Sequence, residues 1–330
     1  MNQVKEGKAI IEVEPKEIVD KKMPIFYNPH MKLNRDLTIY VLKHLAKDDW
    51  KIGLPLAGSG VRGIRILKEV SKKLEVTVND KRRGFIDDVL KLCKLNDVEM
   101  NSFELDANLF LLQNKFDYVD VDPFGSPNPF LDLAVRSVRN KGILAITATD
   151  TSSLSGTYPK ACIRKYWAKP KKDEKMHETG IRILIRKTQL IGAQHSIALT
   201  PMYSISQIHY VKVFFRVEKS KLKADEILKQ HEIIDEAGPL WTGKLYDFEL
   251  AKKIALESDE RILQLIAVEA KDEKKIHDVH KLSKKYKVKQ IPKFEKILKL
   301  TKGTRTHFSE KCIRTNKTEK ELIKIIQQLS

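Results

Sequence analysis

Between about residue 50 and residue 150 the chain alternates short apolar runs with stretches of helical period. Residues 50–57 read as an apolar strand, 61–73 as a helix, 74–78 as a second strand and 84–95 as a helix with Phe85, Val89, Leu92 and Leu95 on one face. Residues 99–105 make a weaker third strand, 109–114 a short helix, 118–121 a fourth strand, 129–138 a helix and 142–149 a fifth strand. Strands joined through helices must run parallel, so the spacing predicts an α/β, Rossmann-like domain whose ligands sit at the C-terminal ends of the strands. Farther on, 177–193 has helical spacing through Ile181, Leu184, Ile185 and Ile191, and 208–217 alternates like one partner of an antiparallel pair with the segment before it. These elements would close a first domain at 1–217. The stretch 218–225 is charged and poor in large apolar residues, which places a linker there and a smaller α+β domain at 218–330.

Composition narrows the partners. The 330 residues are 42% hydrophobic, ample for packed cores, and carry 62 Lys plus Arg against 44 acidic residues, a formal charge of +18. An excess of that size suits a polyanion, nucleic acid or an anionic membrane surface, and equally a solvated lysine-rich exterior. No apolar run approaches the roughly 18 residues of a spanning helix, and the first ten residues lack the apolar core of a signal peptide, so the membrane reading is the weaker one. Cys93, Cys162 and Cys312 stand too far apart for a disulfide framework or a metal knuckle. A cytoplasmic protein without a metal site follows as the expectation, and no obligate protein partner is expected.

Two motifs carry chemistry. Gly58-Ser59-Gly60-Val61-Arg62-Gly63 lies between a predicted strand and a predicted helix, where glycines let backbone approach a nucleotide-like ligand and an acidic residue ending the next strand, Asp80, can grip ribose hydroxyls. The same loop would serve NAD, or simply turn a strand into a helix. Asp122-Pro123-Phe124-Gly125 follows the fourth strand and supplies a carboxylate, a proline carbonyl and an aromatic ring in sequence. That set suits a flat base bearing an exocyclic amine: two acceptors draw on its N–H groups and the ring stacks on its face. Hydride transfer needs no such set, although Asp-Pro-x-Gly is also a common turn. Asp106, followed by Ala107, ends the third predicted strand, where a carboxylate and a backbone N–H can read an adenine; a helix N-cap explains it as well.

With these motifs in place the chain resembles the tRNA guanine-26 N2-dimethyltransferases of archaea and eukaryotes along its whole length. The likeness rests on Phe26-Tyr27-Asn28-Pro29, Asn34-Arg35-Asp36-Leu37, Gly60-Val61-Arg62-Gly63-Ile64-Arg65, Asn79-Asp80, Asp120-Val121-Asp122-Pro123-Phe124-Gly125-Ser126, His177-Glu178, Gly238-Pro239-Leu240-Trp241 and Thr304-Arg305-Thr306-His307-Phe308. It implies a class I S-adenosylmethionine methyltransferase domain that moves one or two methyl groups to the N2 amine of guanine 26 in tRNA. It also implies that Arg35, Arg62, Asp80, Asp106 and Ala107 bind S-adenosylmethionine, where the glycine loop already puts Gly58 and Gly60, and that Asp122, Pro123 and Phe124 form the guanine pocket, with Phe26 as a second aromatic wall. Read without the resemblance, Phe26 and Tyr27 are two core aromatics, Arg35 and Arg62 surface ion-pair partners, and His177-Glu178 the polar first turn of a helix. Many members carry two cysteine pairs just before the Gly-Pro-Leu-Trp segment; here 219–237 contains no cysteine, which leaves open how the second domain is braced.

Residues 281–317 hold thirteen Lys or Arg against Glu295 and Glu310, with Tyr286, Phe294 and Phe308 interleaved. Such a stretch suits phosphate contact with tRNA, or a solvated helical face. A second cluster lies at 164–172, with Arg164, Lys165, Lys169, Lys171 and Lys172. The rivals that remain are a methyltransferase acting on an amine in DNA or rRNA, a non-catalytic RNA-binding protein, and an NAD-dependent dehydrogenase resting on the glycine loop alone.

Overall fold

The computed structural model describes residues 2–13, 27–271 and 274–330. A hairpin comes first, β1 (Asn2–Glu6) and β2 (Ala9–Val13), turned at Gly7, which takes a φ of +57°. The alternation follows: α1 (Lys32–Leu45), β3 (Trp50–Leu54), α2 (Val61–Glu69), β4 (Leu74–Asn79), α3 (Phe85–Asn96), β5 (Asn101–Phe103), α4 (Ala107–Gln113), β6 (Phe116–Val121), α5 (Leu131–Ser137) and β7 (Val138–Ala148). Next come α6 (Thr151–Leu154), α7 (Pro159–Tyr166), α8 (Met176–Gln194), β8 (Ile197–Ser206), β9 (Val211–Lys219) and α9 (Lys221–Leu228). The remainder is β10 (His231–Ile234), β11 (Ala237–Trp241), α10 (Phe248–Leu256), α11 (Arg261–Lys271), β12 (Ile276–Asp278), α12 (Val279–Lys285), α13 (Phe294–Thr301), β13 (Thr304–Arg305), β14 (Cys312–Arg314) and α14 (Glu319–Leu329).

These elements fall into two compact units. The first comprises Met1–Asp150 and Ile185–His231, the second Thr151–Leu184 and Glu232–Ser330. The expected single boundary after residue 217 is not where the contacts divide, because the chain leaves the first unit at Asp150 and returns to it within α8. Nor is 218–225 a linker. Lys219 ends β9, Ser220 caps α9 by accepting from the Lys223 N–H at 3.4 Å, and Ala224 and Ile227 are buried. Two apolar positions three apart were enough to anchor a turn of helix that the surrounding charges conceal in the sequence.

In the first unit seven strands form one sheet in the order β5-β4-β3-β6-β7-β9-β8. The first five are parallel; β9 runs antiparallel to both β7 and β8, as the alternation at 208–217 predicts. Strand order reverses between β3 and β6, so the loops that follow these two strands splay apart and leave a crevice. The sheet's centre is fully buried, with Ile52, Val78, Tyr118, Val119, Leu144 and Ile146 all at most 2% exposed. Several boundaries shift for local reasons: β3 stops at Leu54, freeing the next residues for the glycine loop, and α4 starts at Ala107 because Asp106 caps it, accepting from the Asn108 N–H at 2.8 Å.

The second unit is α+β, with a hairpin of β10 and β11 and a three-stranded sheet β12-β14-β13. Val279, Leu282, Ile297, Ile313, Leu322, Ile323 and Ile326 make its C-terminal core. A buried charged cluster braces this unit. Arg314, 2% exposed, donates to Glu178 at 2.7 Å and to Glu269 at 2.5 Å, and Glu269 in turn meets Nδ1 of His307 at 2.8 Å. Glu178 is therefore more than the polar first turn of α8. Burial would raise its carboxyl, but Arg182 and Arg314 outweigh that and hold it at about 2.

Candidate active site

A cavity of about 850 Å³ opens at the C-terminal ends of the parallel strands of the first unit, a volume in the upper part of the usual range of roughly 300–1,000 Å³ for small-molecule sites. Its walls come from the loop after β3 (Leu56 to Ser59), the end of β4 (Asp80 to Arg82), the start of α4 (Asp106, Ala107), the loop after β6 (Asp122 to Phe124), and Arg35 of α1. The glycine loop and the Asp-Pro-Phe turn, far apart in sequence, thus face one space. Parallel strands put the start of every following loop on the same edge of the sheet, and the order reversal gives that edge room.

The three glycines of the first motif do different things. Gly58 takes a φ of +58° at the cavity wall and donates its N–H to the Asp80 carboxylate at 3.0 Å. Gly60, at φ +77°, is the N-cap of α2 and is not a wall residue; a Cβ there would come within 3.1 Å of the Leu92 side chain. Gly63 lets α2 lie close on the sheet, since a Cβ would meet Met100 at 2.8 Å and Val78 at 3.0 Å. Asp80 also accepts from the Arg82 N–H at 3.1 Å, so its carboxylate is fixed at the end of β4 by two backbone donors. Asp106 both caps α4 and lines the cavity, beside the buried Ala107.

Asp122 lines the cavity and keeps 15% of its side chain exposed, while its Oδ2 takes a short hydrogen bond from Nη2 of Arg62. Arg62 is not a surface ion-pair partner. It is 8% exposed and also binds Asp120 at 2.9 Å, Thr38 at 2.8 Å and Asn34 at 3.0 Å. Behind it the ammonium of Lys212, fully buried on β9, reaches both oxygens of Asp120 at 2.9 and 2.8 Å and Asn34 at 2.9 Å; the hydroxyl of Tyr118 donates to Asp120 at 2.8 Å. Burial would raise the Asp120 carboxyl, yet Arg62 and Lys212 hold it down at about 2. Lys212 moves toward neutrality, to about 8, because burial and the like charge of Arg62 outweigh Asp120. Both values fall, which keeps the carboxylate charged but brings the lysine toward neutrality: Arg62 and Lys212 together overcome burial at Asp120, whereas at Lys212 burial and Arg62 outweigh Asp120 and Asp122. Asp120 is the firmly charged member.

The turn that carries Pro123 and Phe124 is pinned from β7's end, where the Thr149 hydroxyl accepts from the Gly125 N–H at 2.6 Å. Pro123 is buried; the Phe124 ring is 52% exposed at the cavity mouth. Arg35, 6% exposed, donates to Glu6 of β1 at 2.7 Å and to the Asn28 carbonyl at 3.0 Å, so it too is interior rather than superficial. Burial would raise Glu6, but Arg35, Tyr27 and Arg65 bring it down to about 2. Phe26 lies outside the described residues. Sequence reasoning missed Glu6, Thr38, Lys212 and the wall residue His209, from the turn between β8 and β9. Lys212 had a signal: a lone lysine between Val211 and Val213 in an apolar strand implies a buried cation in need of an acid.

In the second unit, Arg314 of the basic stretch is spent on the internal brace, and Lys281, Lys285 and Lys317 pair with Glu174, Glu319 and Glu321. Lys284, Lys287, Lys289, Lys293, Lys296 and Lys299 are exposed. Among the described residues no group of three or more His, Cys, Asp or Glu is arranged to hold a metal ion, and no helix is long and apolar enough to cross a membrane.

Comparison with known proteins gives a consistent result. The sequence model described as N2,N2-dimethylguanosine tRNA methyltransferase matches residues 7–237 and 229–327. A tRNA (guanine(26)-N(2)/guanine(27)-N(2))-dimethyltransferase of Aquifex aeolicus is 37% identical, over 100% of this chain and 96% of its own. The tRNA (guanine(26)-N(2))-dimethyltransferase of Methanobrevibacter smithii is 35% identical, over 99% and 97%. Among solved structures, Trm1 from Pyrococcus horikoshii in complex with S-adenosyl-L-methionine superposes with a TM-score of 0.88 at 28% identity, covering 99% of this chain and 100% of that one.

Proposed function

The chain belongs to the N2,N2-dimethylguanosine tRNA methyltransferase family, and from that premise we propose that it methylates the N2 amine of guanine 26 in tRNA with Asp122 as the group that receives the amine. The observation that carries this reading is the single cavity lined both by Gly58 and by Asp122, Pro123 and Phe124.

S-adenosylmethionine supplies a methyl group already activated as a sulfonium, so the chain's own task is alignment and charge. The cavity suits such a nucleoside: Gly58 brings bare backbone to the wall, Asp80 offers a fixed carboxylate to ribose hydroxyls, and Asp106 and Ala107 offer a carboxylate and a helix-start N–H to an adenine. On the other side Phe124 presents an exposed ring for the guanine face. The amine's lone pair is delocalised into its ring, and an acceptor on its N–H restores reactivity. Asp122 is held ready for that by Arg62, and the Pro123 carbonyl stands beside it as the second acceptor. As the amine nitrogen takes the methyl group, the donor's C–S bond would break to leave a neutral thioether, and the amine's surplus proton passes toward Asp122. Arg62 is a positioning residue in this account, since its guanidinium is committed to Asp120, Asp122, Thr38 and Asn34.

We assign catalysis to the first unit and tRNA grip to the second, which holds the exposed lysines of 281–317 and the cluster at 164–172. Cys93, Cys162 and Cys312 are buried thiols, which suits the cytoplasm. The experiment is transfer of labelled methyl to bulk tRNA, followed by nucleoside and position analysis. Asp122→Ala should lower turnover by about 10²-fold or more while tRNA affinity stays within about twofold. Equal turnover would remove Asp122 from the chemistry. Label confined to rRNA or DNA would overturn the substrate, and label at guanine 27 as well would widen it as in the Aquifex aeolicus relative's name.

A further inference from the structure

Cys162 and Tyr166 are fully buried and fix the inner face of α7 in the second unit. On the opposite side Lys160, Ile163, Arg164 and Trp167 recur with the i, i+3, i+4, i+7 spacing of one helical stripe, and all four are exposed. Ile163 is 48% and Trp167 47% exposed, and Tyr158, at the N-cap, 61%. A surface helix ordinarily buries its apolar stripe and shows charge; here the outer stripe mixes both. Residues 151–172 contain six Lys or Arg and no Asp or Glu.

Trp167 ends α7 in a left-handed backbone, φ 56° and ψ 36°, its N–H donating to the Ile163 carbonyl at 3.0 Å. Glycine takes that conformation without strain, whereas a bulky side chain rarely does, and such strain gathers at functional positions. The segment behind it is held rigid, because Lys169 and Gly238 exchange two backbone hydrogen bonds of 2.8 Å. Trp167 thus stands, about half exposed, on a fixed support.

We propose that this face of α7 is a stacking platform for RNA: an unpaired base lies on the Trp167 indole while Arg164 and Lys160 hold the adjoining phosphates. The inference rests on the reading of the chain as an RNA-modifying enzyme. An acidic peptide would match the charge but not the flat apolar surface, and a paired duplex hides its base faces.

The test measures the affinity of the full chain for bulk tRNA and for single-stranded oligoadenylate across a salt series. Trp167→Ala should weaken both by about tenfold at every salt concentration, because stacking is not a charge effect. Trp167→Phe should keep most of the affinity, and Arg164→Gln should instead reduce the salt slope by about one unit. Trp167→Ala binding within twofold of the parent protein would overturn the proposal. So would a loss that Trp167→Phe shares in full, or an equal loss toward polyglutamate. Should the parent protein methylate no tRNA while Trp167→Ala still loses oligoadenylate affinity, the proposed substrate fails and the platform stands.

Discussion

Arg62 binds two carboxylates at once, Asp120 behind the cavity and Asp122 at its wall, and only a planar fork of donors can do that while also reaching Thr38 and Asn34. Arg62→Lys keeps the charge and loses the fork. We expect kcat to fall by about 10- to 100-fold, with KM for tRNA little changed, as for an interaction realised in the transition state. The family resemblance implies instead that Arg62 touches the methyl donor. If Arg62→Lys keeps kcat and weakens donor binding, the resemblance is right and the positioning role is wrong. The Asp106 carboxylate caps α4 and also lines the cavity, so its capping role does not take it away from a ligand there.

At the scale of elements, α2 links the glycine motif to the sheet. Its close approach needs Gly63, where an added Cβ would strike Met100 and the stiff Val78 side chain. Gly63→Ala should cost about 1–3 kcal/mol by overpacking, read as a lower urea midpoint with unchanged slope. Stability equal to the parent protein would show that Met100 gives way freely. The brace in the second unit makes a stronger demand. Replacing Arg314 by Met leaves Glu178 and Glu269 without their shared cation in a largely buried setting, and should cost about 3–5 kcal/mol in the same measurement. Periodicity foretold the parallel strands and the antiparallel return, because each has enough apolar positions to show a period. It failed at α9, where Ala224 and Ile227 are hidden among charges, and it gave no reading of the β1–β2 hairpin, whose buried Glu6 looks like any surface acid.

For the whole molecule, internal ion pairs set the response to acid. Glu6, Asp120 and Glu178 are each held at about 2, below their ordinary values of 4.5, 3.8 and 4.5. Their contribution to stability is fully present above those ordinary values and is lost as pH falls toward 2, because the unfolded chain takes up protons first. Urea midpoints should therefore decline steeply between about pH 4.5 and 2. Glu6→Gln should be less stable at neutral pH and show a shallower decline; an unchanged slope would mean that Glu6 gains nothing from Arg35 and Arg65. The sequence by itself determined the α/β alternation, the two chemical motifs and the family, since these depend on residue type at short spacing. Only the tertiary structure decided that Thr151–Leu184 joins the second unit, that Lys212 and Asp120 meet, and that Arg62 joins Asp120 to Asp122. Those facts follow from strand order and from burial, which forces charges to find partners far away in the chain.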